Sequence, residues 1–139
     1  MKWGRIVVAG LGTHAAVFLV ITLAVSGYAF KLAFAAHGAP DQARIGQYAG
    51  YLGRSFWWVL QIALTAPAAA WTVRKTQSAH QLHGALTGLV VALVGLAIGY
   101  SMSVRAIAVF ALTVGAGWLG AAMRERYRMK QESGHPPTR

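Results

Sequence analysis

The sequence has 139 residues, which is the length of a single domain. Only 12% of the residues are charged and 56% are hydrophobic, so a water-soluble surface of this size would be hard to build, and a soluble enzyme is excluded. The chain contains no cysteine, which excludes disulfides, thiolate metal sites and cysteine nucleophiles. The formal net charge of +10 comes without a nucleic-acid-binding motif, so we expect membrane lipids as its partner and no nucleic acid.

The first apolar segment runs from residue 6 to residue 30. At 1.5 Å per residue it is about 37 Å long as a helix, which is enough to cross a bilayer with some tilt. A cleavable secretory signal is the alternative, since Ala33 and Ala35 offer a small-residue cleavage site. The apolar run is too long for such a signal, so we expect a first transmembrane helix.

Residues 31–54 form the longest connection and are expected on the outer side. A turn at Gly38 and Pro40 is followed by Asp41, whose side chain is suited to cap a short helix. This helix either lies in the membrane interface or extends the second span at its N-terminus. The sequence does not separate these two possibilities.

The second span is predicted at residues 55–73. Trp57 and Trp71 lie near its two ends, where tryptophan is enriched at membrane interfaces. Pro67 removes one backbone donor and should kink or loosen this helix. The polar side chain of Gln61 is a candidate to compensate for that lost bond.

The third and fourth spans are predicted at residues 80–100 and 106–123, joined by a very short connection. Spacings of three and four place a row of small residues on one face of the third span: Gly84, Gly88, Ala92, Gly95 and Gly99. The fourth span carries a matching face that includes Gly117 and Ala121. Such faces allow helices to approach closely, so the pair should form a tight antiparallel hairpin. The glycine face packs either inside this chain or against another copy or subunit, and both remain open.

Four spans place both termini on one side of the membrane. The termini and the second loop carry nine lysines and arginines against four on the opposite side, so both termini are predicted in the cytoplasm of a bacterial inner membrane. Residues 124–139 then form a basic cytoplasmic tail. Six basic residues are expected to contact lipid headgroups: Arg74, Lys75, Arg124, Arg126, Arg128 and Lys130.

No Asp, Glu, Lys or Arg lies inside a predicted span, so histidine is the only ionisable residue at depth. His14 either forms an interhelical hydrogen bond, with Gln61 or a threonine as partner, or ligates haem b. His80 and His83 open the third span and either complete a bis-histidine haem site with His14 or face lipid phosphates. The hydrogen bond and the phosphate contacts are the favoured interpretations. No metal site is predicted.

The predicted architecture is therefore an all-α integral membrane protein with four transmembrane helices and both ends cytoplasmic. Because the spans carry packing surfaces but no catalytic groups, we expect a non-catalytic subunit or scaffold that works in a homo-oligomer or a larger membrane complex. A small oligomeric channel or transporter, with His14, Gln61 and the Pro67 kink lining a path, is the first alternative. A haem-binding membrane anchor is the second.

Overall fold

The structure, a computed structural model, describes residues 3–75, 79–99 and 103–133. Within these ranges it is all-helical, and its elements in chain order are α1 (Trp3–Ala36), α2 (Gln42–Ser55), α3 (Trp57–Thr72), a 3-10 turn (Val73–Lys75), α4 (His80–Gly99) and α5 (Val104–Ser133). Helices α1, α4 and α5 are long and apolar enough to cross a membrane. The 16 residues of α3 make a helix about 24 Å long, which is shorter than a typical span.

Helix α1 continues six residues beyond the predicted end of the first span at residue 30. The sequence offers no helix breaker before the turn, where His37 has a φ of 51° and Gly38 and Pro40 follow. Asp41 then caps α2, because its carboxylate accepts from the backbone N–H groups of Ala43 at 2.9 Å and Arg44 at 3.2 Å. The expected capped helix in the first loop is therefore present.

Helix α2 leads almost directly into α3. Phe56 separates them, but its N–H donates to the carbonyl of Leu52 and its own carbonyl accepts from the N–H of Leu60. Tyr28 of α1 and Tyr48 of α2 are in ring contact, with centroids 4.3 Å apart, so α2 packs along the outer part of α1. The backbone hydrogen bonds around Phe56 thus join α2 to the N-terminus of α3, as expected for an extension of the second span, while the position of α2 in a membrane interface stays a prediction.

The directions of α1, α3 and α4 follow from their contacts. Arg5 at the start of α1 donates to the carbonyl of Thr72 at the end of α3 at 3.4 Å, so these two helices run antiparallel. Thr72 also shares a hydrogen bond of 3.2 Å with Thr87 of α4. Further along, Gly10 of α1 lies against Val90 of α4, so α1 and α4 run in the same direction.

Helix α5 returns antiparallel to α4 and packs on both α3 and α4. At the far end of the bundle Arg105 of α5 donates from Nη2 to the carbonyl of Arg54 at 2.8 Å, and its guanidinium lies 5.6 Å from the Trp58 ring. Helix α2 and the last part of α1 extend beyond this level as a two-helix arm, on which Phe30 and Phe34 are exposed. Four helices therefore form the bundle, and the arm projects from one end of it.

Candidate functional site

The row of small residues on α4 faces α5 of the same chain. A Cβ added to Gly84 would lie 2.5 Å from the carbonyl oxygen of Gly117, and one added to Gly88 would lie 2.7 Å from that of Thr113. Ala121 also contacts Gly84. Further along the same face, Ala92 and Gly95 are buried, and the surroundings of Gly99 lie outside the described residues. The first half of the glycine face is thus occupied internally, because only glycine lets the two backbones approach this closely.

Two more glycines bring other helix pairs together, and the sequence did not single them out for this role. Gly120 of α5 lies against the backbone of Ala66 in α3, and a Cβ on Gly10 of α1 would lie 2.6 Å from Cγ1 of Val90 in α4. The space beside Gly10, one turn before His14, is filled by Val90. Gly10 and Gly120 are therefore used, like Gly84, Gly88 and Gly117, for packing within the chain.

An open groove runs between α1 and α3. It has a volume of about 270 Å³ and is almost entirely apolar, with a lining that includes Val8, Gly12, Ala16, Leu64, Ala68 and Trp71. Gly12 is exposed, and a Cβ added there would meet no atom within 4 Å. Arg5 lies at one end of the groove with its guanidinium 4.7 Å from the Trp71 ring. The spacing of four between Gly12 and Ala16 could have indicated the α1 side of the groove. Which residues of α3 line the other side depends on the rotation of each helix about its own axis.

His14 is buried between three helices. Its Nε2 lies 2.9 Å from the carbonyl oxygen of Val91 in α4, and its ring stacks on Trp57 of α3 at 6.2 Å between centroids. Because a carbonyl only accepts, Nε2 carries the proton, and the lone pair on Nδ1 has no partner among the described residues. The expected interhelical hydrogen bond is present, but its partner is a backbone carbonyl and not Gln61 or a threonine.

Gln61 lies in the same core with 1% of its surface exposed. Its Nε2 donates to Oγ1 of Thr113 at 3.5 Å, the outer limit of a hydrogen bond, while Oε1 has no partner in the described part of the chain. The indole N–H of Trp58 is likewise buried and unpaired there. In the half of the bundle nearer the arm, these three buried polar atoms thus have no hydrogen-bond partner among the described residues.

The structure does not bring His14 together with His80 or His83. His83 lies about 12 Å along α4 from Val91, the contact of His14, and its Nδ1 turns the other way, to the carbonyl of Ala79 at 2.9 Å. His80 faces α5, where its Nδ1 lies 3.9 Å from Oε1 of Glu125. A single haem between these histidines does not fit this arrangement. No cluster of three or more potential metal-ligating side chains occurs in the described residues.

At the end of the bundle opposite the arm, basic residues converge on one small pocket. It is lined by Val73 and Arg74 after α3, His80 at the start of α4, and Arg124, Glu125 and Arg128 on α5. Arg126 and Lys130 are exposed and outside this lining, and the side chain of Lys75 is not among the described residues. Of the six basic residues predicted at headgroups, three therefore share one site.

No family model, curated protein sequence or solved structure matches the chain. The assignment of a function therefore rests on the geometry of the helices. In the described residues that geometry is all-helical, with three helices suited to cross a membrane. It includes a glycine face whose first half packs internally, an open apolar groove and a basic pocket.

Proposed function

We propose that the chain is a non-catalytic integral membrane subunit or scaffold that crosses the membrane four times and binds another membrane helix in the α1–α3 groove. The observation that carries this proposal is the open surface at Gly12, because the small residues Gly84, Gly88 and Gly117 are already covered by helices of the chain itself. A membrane helix finds its partner mainly through close packing, and a groove floored by small residues provides the surface for it.

The four-span topology is supported by the direction of the helices. Since α1 and α4 run in the same direction, the chain must return through the bundle between them, and α3 lies antiparallel to α1 at that place. On α5, Arg105 and Arg124 are about 29 Å apart by helical rise, close to the thickness of about 30 Å of a bilayer core. Although α3 is short, α2 and the 3-10 turn at Val73–Lys75 continue the chain at its two ends.

The distribution of charge supports an orientation with both termini in the cytoplasm. Basic residues are concentrated at the end of the bundle that holds Arg5, Arg74 and Arg124, while Arg54 and Arg105 mark the other end. Lysine and arginine are retained on the cytoplasmic side of a membrane. The arm then projects outward, and the location that we propose is a bacterial inner (plasma) membrane.

The groove accommodates a helix and not a polar substrate. Its walls expose almost no polar atoms, and Gly12, Ala16 and Ala68 keep its floor low. An apolar side chain of a partner helix, inserted beside Gly12, would make van der Waals contacts with the groove. Lipid tails would pack against the same surface less closely. The partner helix belongs either to a second copy of this chain or to a different subunit. In both cases the groove is the surface that binds it.

A matched pair of variants tests this proposal. Gly12→Leu places a larger side chain in the groove at a position where an added Cβ meets no described atom within 4 Å, and Gly115→Leu adds the same side chain on α5, where a Cβ likewise has no such neighbour. We expect both variants to insert and fold, and only Gly12→Leu to lose the complex that the tagged chain forms in mild detergent. The mass of the purified complex, measured by native mass spectrometry, distinguishes a homo-oligomer from a mixed assembly. Equal complexes from both variants would contradict the proposal.

A small channel or transporter is the second candidate, favoured by the buried atoms Nδ1 of His14 and Oε1 of Gln61, which have no hydrogen-bond partner among the described residues. Water held by such atoms would give the bundle a partly polar interior. Pro67 is exposed on α3, so it does not line a path beside these two residues. Flux measured in liposomes with the purified protein separates the candidates: a scaffold gives none above empty liposomes, and a channel gives flux that falls in Gln61→Leu.

A further inference from the structure

The basic pocket at the cytoplasmic end is assembled from three parts of the chain that are distant in sequence. Arg74 follows α3, His80 begins α4, and Arg124 and Arg128 lie one turn apart on α5 with Glu125 between them. Among the described residues that line the pocket, three guanidinium groups face one carboxylate. These residues come together only when the helices pack. The pocket therefore differs from the run of basic residues in the tail, which are neighbours in sequence.

The field in the pocket favours an anion. Arg74 and Arg124 are exposed at its rim, and the first turn of α4, with the positive end of that helix dipole, starts at His80. Glu125 is half-buried and close to His80, which places its negative charge on the inner side. An anionic group at the rim therefore meets cations first, and guanidinium groups bind phosphate oxygens in a bidentate manner.

The size of the pocket limits which part of a ligand can enter. Its volume of about 30 Å³ admits oxygen atoms of the size of water but not an organic ring. The pocket also lies at the level of Arg124, where the proposed bilayer core ends. A ligand with a small charged phosphate at this depth, and with the rest of its mass outside the pocket, is an anionic phospholipid.

We propose that this pocket is a specific binding site for the phosphate of an anionic phospholipid in the cytoplasmic leaflet, held by Arg74, Arg124 and Arg128. The site uses the proposed position of the bundle in the membrane, but it does not depend on the partner helix. Variants of the pocket leave Gly12 and the groove unchanged, so a failure here is distinguishable from a failure of the proposed function.

The test uses the full chain in a non-ionic detergent and counts bound lipids by native mass spectrometry during titration with phosphatidylglycerol or phosphatidylcholine. Arg124→Gln removes a pocket residue, and Arg126→Gln removes an equal charge two positions along α5, outside the pocket. We expect Arg124→Gln to weaken the first phosphatidylglycerol by about fivefold, the effect of one basic residue near an anionic surface, and Arg126→Gln to leave it unchanged. Phosphatidylcholine should bind weakly to all forms.

Two further arms sharpen the result. Glu125→Gln removes the carboxylate found among the described residues that line the pocket and should tighten binding of phosphatidylglycerol. Millimolar inorganic phosphate should leave the bound lipid in place if the acyl chains contribute. Equal losses in Arg124→Gln and Arg126→Gln, equal binding of the two lipids, or displacement by inorganic phosphate would each overturn the assignment of a phospholipid site.

Discussion

Gly84 of α4 and Gly117 of α5 lie so close that a Cβ on Gly84 would stand 2.5 Å from the carbonyl oxygen of Gly117. Their contact closes the α4–α5 hairpin, so this half of the glycine face packs within the chain itself. Gly12, in the groove between α1 and α3, is by contrast open. The same relationship gives the most direct test of the packing.

A Cβ at Gly117 should destabilise the bundle. Gly117→Ala would press against the backbone of Gly84 and Gly88 and is expected to cost about 1–3 kcal/mol or more of unfolding free energy. Gly115→Ala is the control on the same helix, because its Cβ meets nothing within 4 Å, and it should raise stability by up to about 1 kcal/mol. Thermal unfolding in detergent measures both. Similar midpoints for the two variants would contradict the α4–α5 contact.

Gln61 should tolerate replacement by a side chain of its own size. Gln61→Met loses a 3.5 Å hydrogen bond but also removes a buried, unpaired oxygen, and Thr113 keeps its 2.7 Å bond to the carbonyl of Val109. We expect unchanged or higher stability for Gln61→Met, and a loss of about 2–5 kcal/mol for Gln61→Ala, which leaves a cavity. Unfolding midpoints compare them. A large loss in Gln61→Met would indicate that the amide holds water or a transported species.

The cap of α2 should control the local stability of the arm. Asp41→Ala removes the acceptor for the N–H groups of Ala43 and Arg44 and should cost about 1 kcal/mol in the first turn of α2. Hydrogen exchange of the amides that follow should accelerate by about fivefold, with exchange in α5 unaffected. Gln47→Ala, on an exposed position of α2, is the control. No difference between the two variants would contradict the cap.

The absence of cysteine makes the topology directly measurable by single substitutions. Ala39→Cys in the first loop should react with a membrane-impermeant maleimide added to intact cells. Ala79→Cys before α4 and Met129→Cys near the end of α5 should react only after permeabilisation. Labelling of positions 39 and 79 together from outside would mean that α3 does not cross the membrane. Labelling of positions 79 and 129 from outside, without position 39, would mean that the orientation is reversed.

Local patterns in the sequence were enough to predict the helices, the cap at Asp41 and the row that contains Gly84 and Gly88. These features depend on neighbours within one or two turns. The length of α1 was underestimated, because Lys31 ends the apolar run without ending the helix. For a similar reason the sequence did not decide whether the helix of the first loop is separate or extends the second span. Hydrophobicity does not mark the break between α2 and α3 at Phe56.

The candidate sites were harder to predict, because they depend on the rotation and depth of whole helices. The hydrogen-bond partner of His14 is the backbone carbonyl of Val91. Every residue has such a carbonyl, so the type of residue does not indicate it. The convergence of Arg74 and Arg124 on one pocket requires the packing of α3 against α5. Sequence periodicity gives the faces of each helix, but not which faces meet.

Photo-cross-linking in intact membranes tests most directly whether the α1–α3 groove holds a partner helix, as we propose. A diazirine amino acid at Val8, an exposed position on the wall of the groove, is compared with one at Leu119, an exposed position on α5. We expect one defined protein adduct from position 8, lost in the Gly12→Leu background, and only lipid adducts from position 119. Lipid adducts alone from both positions would contradict it.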